Sequence, residues 1–167
     1  MGEDKAGVRF AGEPMLARVV AAATPHVREV IVVAAADQAL PALGPATRVV
    51  RDEEPDAGPL VALALGLSHV RDATEVVVLA TDLPLLAPAH VEALFAELAS
   101  RRAAIPLVEA RPQPLCAAYR MAALAPCVSA ARADGARSMR AMPRELGEPG
   151  IEQLSEPGLR VADHQVL

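Results

Sequence analysis

Tryptophan and asparagine are absent from the chain, which carries one tyrosine and two phenylalanines. Aliphatic side chains, chiefly Ala, Val and Leu, must therefore fill the core that 167 residues can bury. The two cysteines, Cys116 and Cys127, have no C-x-x-C spacing, and His26, His69, His90 and His164 form no metal-ligand pair on one helical face. Buried free thiols and surface histidines are the plain expectation. No apolar run approaches the roughly 20 residues of a membrane span, and Met1-Gly2-Glu3-Asp4-Lys5 holds no apolar signal region, so no membrane association and a soluble cytoplasmic protein are expected. The net charge of −5 is spread without a basic stripe or basic-aromatic interleaving, which argues against a nucleic-acid partner.

What is present centres on Glu75 to Pro84, E-V-V-V-L-A-T-D-L-P. The apolar run Val76 to Ala80 has strand length and suits a parallel strand covered by helices on both faces. Pro84 cannot continue a ladder, so Asp82 is left at the carboxyl end of a central strand, where open α/β sheets bind ligands. Asp82 could equally cap the helix entered near Pro88.

Along the chain, strand-like and helix-like pieces alternate. A first helix is expected from near Pro14, with Met15, Leu16, Val19 and Val20 apolar. Glu29 to Val33 reads as a buried strand, followed by an alanine-rich turn and a weak helical piece from Asp37 to Leu43. Arg48 to Val50 is a short strand, Asp52 to Leu60 a loop, and Gly58 and Pro59 lead into a helix to about Val70 with Leu60, Leu63, Ala64 and Leu67 on one face. Pro88 to Ala99 is helical. Ala104 to Val108 and Pro112 to Tyr119 look like an extended pair, which prolines 106, 112 and 114 place at a sheet edge or in a loop. Helical pieces are expected at Met121 to Ala133 and Ser138 to Leu146, and Ile151 to Leu154 could be a last strand. No repeat or linker divides the chain, so residues 1–167 are read as a single α/β domain.

Among 16 basic residues the only lysine is Lys5. An ammonium is a compact charge suited to phosphate oxygens, although one lysine left over in an arginine-biased chain needs no function.

Met1-Gly2-Glu3-Asp4-Lys5-Ala6 resembles the end of the signature loop L-x-G-G-x-S-x-R-M-G-x-D-K of the MobA-like nucleotidyltransferases, the molybdenum cofactor guanylyltransferase family. Three further blocks agree in order and spacing. Asp52 to Leu60 resembles D-x-x-P-x-x-G-P-L, Thr81-Asp82-Leu83-Pro84 resembles (C/T)-D-x-P, and Gln113 to Tyr119 resembles Q-P-L-x-A-L-Y. Asp134 to Met139 is similar to a later G-x-R-(S/R)-L segment.

The resemblance implies a three-layer α/β sandwich with a mostly parallel central sheet, of the nucleotide-diphospho-sugar transferase type. It implies transfer of GMP from GTP to molybdopterin, with Mg²⁺ as cofactor. Lys5 would neutralise the triphosphate, Asp82 would hold the metal, and Gly2, Asp52 and Gly58 would complete the nucleotide site, Gly58 aided by the dipole of the helix that follows it. Gln113 and Tyr119 would be acceptor-side or structural, and Arg137 would be acceptor-side. A cytidylyl- or sugar-phosphate nucleotidylyltransferase and a non-catalytic nucleotide-binding or docking module are the alternatives, and a monomer or weak homo-oligomer is expected.

The chain departs from the family pattern in two ways. The family's first strand and the L-x-G-G-x-S-x-R portion would lie before Met1, so the natural protein is expected to be longer by about 20 residues. That strand normally lies between those expected at Glu29 to Val33 and Glu75 to Ala80, and without it two apolar edges would be unpaired. Ala34-Ala35-Ala36 stands where family members commonly read the nucleotide with an asparagine, and Val161 to His164 replaces a segment like N-T-P-x-D-L, which leaves the base and the acceptor open.

Overall fold

A computed structural model describes residues 8–53, 58–139 and 142. The described part opens with a short hairpin, β1 (Arg9–Phe10) and β2 (Glu13–Pro14), that turns through Ala11 and Gly12, both at positive φ. There follow α1 (Met15–Ala23), β3 (Val30–Ala35), β4 (Thr47–Asp52), α2 (Pro59–Ser68), β5 (Glu75–Leu79) and α3 (Pro88–Leu98). The second half contains β6 (Ala103–Ala104), the hairpin strands β7 (Leu107–Val108) and β8 (Arg111–Pro112), β9 (Cys116–Arg120) and α4 (Met121–Ala133). Among the described residues no helix is long and apolar enough to cross a membrane.

The period-2 alternation of strands builds the layers. Val77 and Leu79 of β5, with Cys116 and Ala118 of β9, pack against Leu94 and Leu98 of α3. Their neighbours Val76, Val78, Ala117 and Tyr119 point the other way, into a cluster with Leu60 of α2 and Leu124 and Val128 of α4. Val32 of β3 meets Leu16 and Val20 of α1. Helices therefore cover both sheet faces. Tyr119 is fully buried and its hydroxyl donates to the Pro114 carbonyl at 2.8 Å, which satisfies the polar end of an otherwise apolar site.

β3 pairs in parallel with β4, Val30 opposite Thr47 through Ala35 opposite Asp52. β5 pairs antiparallel with β9, which pairs antiparallel with β6 on its other edge. No ladder joins β3 to β5. Between them runs a cavity of about 1020 Å³, walled by residues such as Val30 and Val32 on one side and Val76 and Val78 on the other. Across its amino end, Arg28 donates to the Asp72 carbonyl at 2.9 Å, bringing the starts of β3 and β5 to the same end of the cavity. Among the described residues no strand pairs with the edges of β3 and β5 that face this cavity, and β5 is half-buried along its whole length despite helices on both faces.

Several expectations are corrected. Ala34 and Ala35 continue β3 instead of turning, and Asp52 closes β4 instead of opening a loop. Residues 37–43 form no helix; Arg51 holds that segment as loop by donating to the carbonyls of Ala35 and Gln38 at 2.9 and 2.8 Å. β9 lies between β5 and β6 rather than at an edge or in a loop, because Pro106, Pro112 and Pro114 all fall outside it and remove no donor from its ladders. Among the described residues the ladder partner of β5 is antiparallel. His26, His69 and His90 are half-buried instead of on the surface. The helix at Met121 to Ala133 has the expected bounds, whereas most of Ser138 to Leu146, and all of Ile151 to Leu154, lie outside the described residues.

Two measurements follow from these edges and this core. Amide exchange should alternate along β3, slow where residues bond to β4 and fast at those facing the cavity; uniform protection would contradict the open edge. Burial pushes the Cys116 thiol up from 9.0 to about 11, and the Tyr119 phenol is also raised, by burial first and by the Cys116 charge second. The neutral thiol is favoured in the fold, so its contribution to stability is complete below pH 9 and is lost as pH rises through about 11. Denaturant midpoints should fall over that window, and a Cys116→Ala variant should show a shallower fall.

Candidate functional site

The carboxyl ends of the strands bring chemistry-bearing residues towards one rim. Asp52 is the last residue of β4, opposite Ala35 of β3, and Asp82 lies three residues beyond the end of β5. Thr81 and Asp82 line the cavity between β3 and β5 at the end away from Arg28 and Asp72. Both aspartates are half-buried. Asp82 is not the cap of α3: Ala87 holds that position, and its N–H donates to Nδ1 of His90 at 3.1 Å. The end of β5 is fixed by the Ala80 N–H donating to the Leu115 carbonyl at 2.7 Å.

Gly58 meets the same end of the fold from another direction. Its φ is +97°, and a Cβ there would lie 2.6 Å from the carbonyl oxygen of Arg137. Only glycine accommodates both demands. The Arg137 carbonyl accepts the Leu60 N–H at 3.2 Å, while Val61 and Ala62 donate to the Gly58 carbonyl at 3.1 and 3.3 Å. Pro59 has no N–H. The opening donors of α2 are therefore engaged within the protein, so this terminus can offer an anion its dipole but not an idle fork of N–H groups.

The remaining site residues separate by placement. Gly2 and Lys5 lie outside the described residues. Tyr119, expected on the acceptor side or in a structural role, is a core residue with no exposed surface. Gln113 is half-buried; its N–H donates to the Pro106 carbonyl at 2.9 Å and its Nε2 to the Arg111 carbonyl at 3.0 Å, which ties the β7–β8 hairpin back on itself. Arg137 has its backbone on Gly58 and an exposed side chain, beside the loop expected to hold the nucleotide.

Arg18 and Arg51 were not legible as rim residues. Arg51 precedes Asp52 and staples the Ala35 to Gln38 turn, where Gln38 Oε1 also accepts the Ala35 N–H at 3.3 Å. Its position directly before an aspartate at a strand end was the available signal. Arg18 on α1 donates to the Pro84 carbonyl at 3.2 Å, a contact 66 residues distant in sequence that no local pattern announces.

Among the described residues no three His, Cys, Asp or Glu side chains gather as a metal cage. Carboxylates at the strand ends fit a hard divalent cation that takes one or two protein oxygens and fills its shell with water and phosphate; they do not fit a zinc-type site.

Comparison with known proteins places this geometry in context. The MobA-like NTP transferase domain family matches residues 1–149. A probable molybdenum cofactor guanylyltransferase of Natronomonas pharaonis is 38% identical over 145 residues, covering 82% of this chain and 70% of that protein. Another, of Chloroflexus aggregans, is 40% identical over 131 residues, covering 75% of this chain and 62% of that protein. Among solved structures, 2-C-methyl-D-erythritol 4-phosphate cytidylyltransferase from Thermus thermophilus superposes with a TM-score of 0.71 at 20% identity, covering 91% of this chain and 84% of that one.

The Gly58 geometry yields a direct check. Gly58→Ala should destabilise the fold by about 1–3 kcal/mol, from positive φ together with the clash against the Arg137 carbonyl. An unchanged denaturant midpoint would show that the two segments do not meet as described.

Proposed function

The chain belongs to the MobA-like NTP transferase domain family, and from that premise we propose that it is a molybdenum cofactor guanylyltransferase, transferring GMP from GTP to molybdopterin. The observation that carries the proposal is Asp82, which stands three residues past β5, lines the rim end of the cavity, and lies within the matched residues.

In this reading a phosphate oxygen of molybdopterin attacks the α-phosphorus of GTP, the bond to the bridging oxygen breaks, and pyrophosphate leaves. Negative charge grows on the departing oxygens, and cationic groups at the rim lower the barrier by meeting it there. Lys5 supplies an ammonium to the triphosphate. Asp82 holds a divalent cation, taken here as Mg²⁺, which when bound neutralises phosphate oxygens. Asp52, in line with Ala35 on the neighbouring strand, contacts the nucleoside. Gly2 and Gly58 give the backbone close approach to the nucleotide. Arg137, whose backbone rests on Gly58, is assigned to the nucleotide side of the site rather than the acceptor side. Donor and acceptor are both polar anions, which suits a cytoplasmic reaction.

Cytidylyl transfer draws on likeness of fold alone, since the cytidylyltransferase shares 20% identity with this chain. The relatives at 38% and 40% identity favour guanylyl transfer.

Turnover of GTP, CTP and UTP with molybdopterin, and separately with sugar phosphates, tests the assignment. Pyrophosphate release is expected with GTP and molybdopterin. Asp82→Asn should lower that rate on the order of a hundredfold or more while the unfolding midpoint stays near wild type. Wild-type turnover in Asp82→Asn would refute the role of this carboxylate, and preference for CTP with a sugar phosphate would refute the substrate.

A further inference from the structure

Arg18 joins three segments through one planar group. Its Nε donates to the Pro84 carbonyl at 3.2 Å, its Nη1 pairs with Glu13 Oε2 at 2.9 Å, and its guanidinium carbon lies 5.6 Å from the centre of the Phe10 ring. Pro84 is two residues past Asp82, while Phe10 and Glu13 form the hairpin that begins four residues after Lys5. The Arg18 side chain retains 30% of its exposure, against 65% for Glu13, so the guanidinium is drawn into the junction rather than left in solvent. A lysine ammonium would keep the charge but could not place donors in two directions with its flat face on a ring.

The turn it reaches is also anchored from the core side, where Leu83 and Leu86 pack against the cluster of Leu94, Leu98, Cys116 and Ala118. Leu86 N–H donates to the Leu83 carbonyl at 3.1 Å, closing the turn across Pro84 directly after Asp82. Leu85, adjacent to Pro84, is 41% exposed and so brings little packing. The Arg18 contact adds a tie from α1 at Pro84, two residues past Asp82, and so bears on where the Asp82 carboxylate sits.

We infer that Arg18 is a positioning residue for nucleotide binding: it ties the turn that carries Asp82 to the β1–β2 hairpin, so that the carboxylate is held where it can meet a metal-bound triphosphate. The inference rests on the nucleotide-binding reading above. Arg18 itself touches neither substrate nor metal. Groups that orient a metal ligand from outside the first layer typically change metal affinity by about 10–100-fold.

Arg18→Gln and Arg18→Lys in the full chain, compared with wild type, test this with two readouts. Calorimetry with Mg-GTP should give affinity weakened at least about tenfold in both variants. Amide exchange should accelerate at Leu86 and remain unchanged at Ala80, whose bond to Leu115 is independent of Arg18. Unchanged exchange at Leu86 would overturn the clamp. Faster exchange with wild-type affinity for Mg-GTP would reduce Arg18 to a structural contact and overturn the inference, as would full affinity in Arg18→Lys. Absence of Mg-GTP binding by wild type would sink the nucleotide reading itself, together with this inference, and is recognisable before any substitution is made.

Discussion

Cys116 and Ala118 face one helix layer and Ala117 and Tyr119 the other, so β9 is the strand through which both halves of the core are joined. Its antiparallel ladder with β5 sets the height at which β5 ends, and hence where the chain leaves the sheet at Thr81 and Asp82. Small side chains make this possible. Alanine and cysteine at the centre let α3 approach closely on one face, while Tyr119 fills the larger space on the other with its hydroxyl satisfied by Pro114. The rim chemistry inherits its position from this packing.

Segments whose apolar pattern persists were legible from sequence. The helix at Met121–Ala133 and the helical face of Leu60, Leu63, Ala64 and Leu67 packed as periodicity required. What escaped were features fixed by distant partners. The piece at residues 37–43 has helical spacing, but Arg51 on the next strand captures the Gln38 carbonyl, and that of Ala35 just before the piece, in loop form. β9 seemed marginal because prolines surround it, yet none lies within it. Of the site, the placement of Asp82 beyond a strand followed from Pro84 and the apolar run alone. The mutual contact of Gly58 and Arg137, 79 residues apart, has no local signature, and the resemblance that linked their sequence blocks carried no geometry.

The arginine bias has a structural use. Arg9, Arg18, Arg28, Arg48, Arg51 and Arg120 each donate to a backbone carbonyl in a turn or at the end of an element. Asparagine commonly satisfies such carbonyls and amides locally, and this chain has none. Guanidinium groups reach the same carbonyls from neighbouring segments, which converts local turn chemistry into ties between elements.

The gap between β3 and β5 has a consequence for handling the protein in solution. Among the described residues two rows of backbone donors and acceptors face it without a ladder, flanked by valines, and such edges template the addition of foreign strands. Crowded molecules can satisfy such groups by borrowing extended segments from one another.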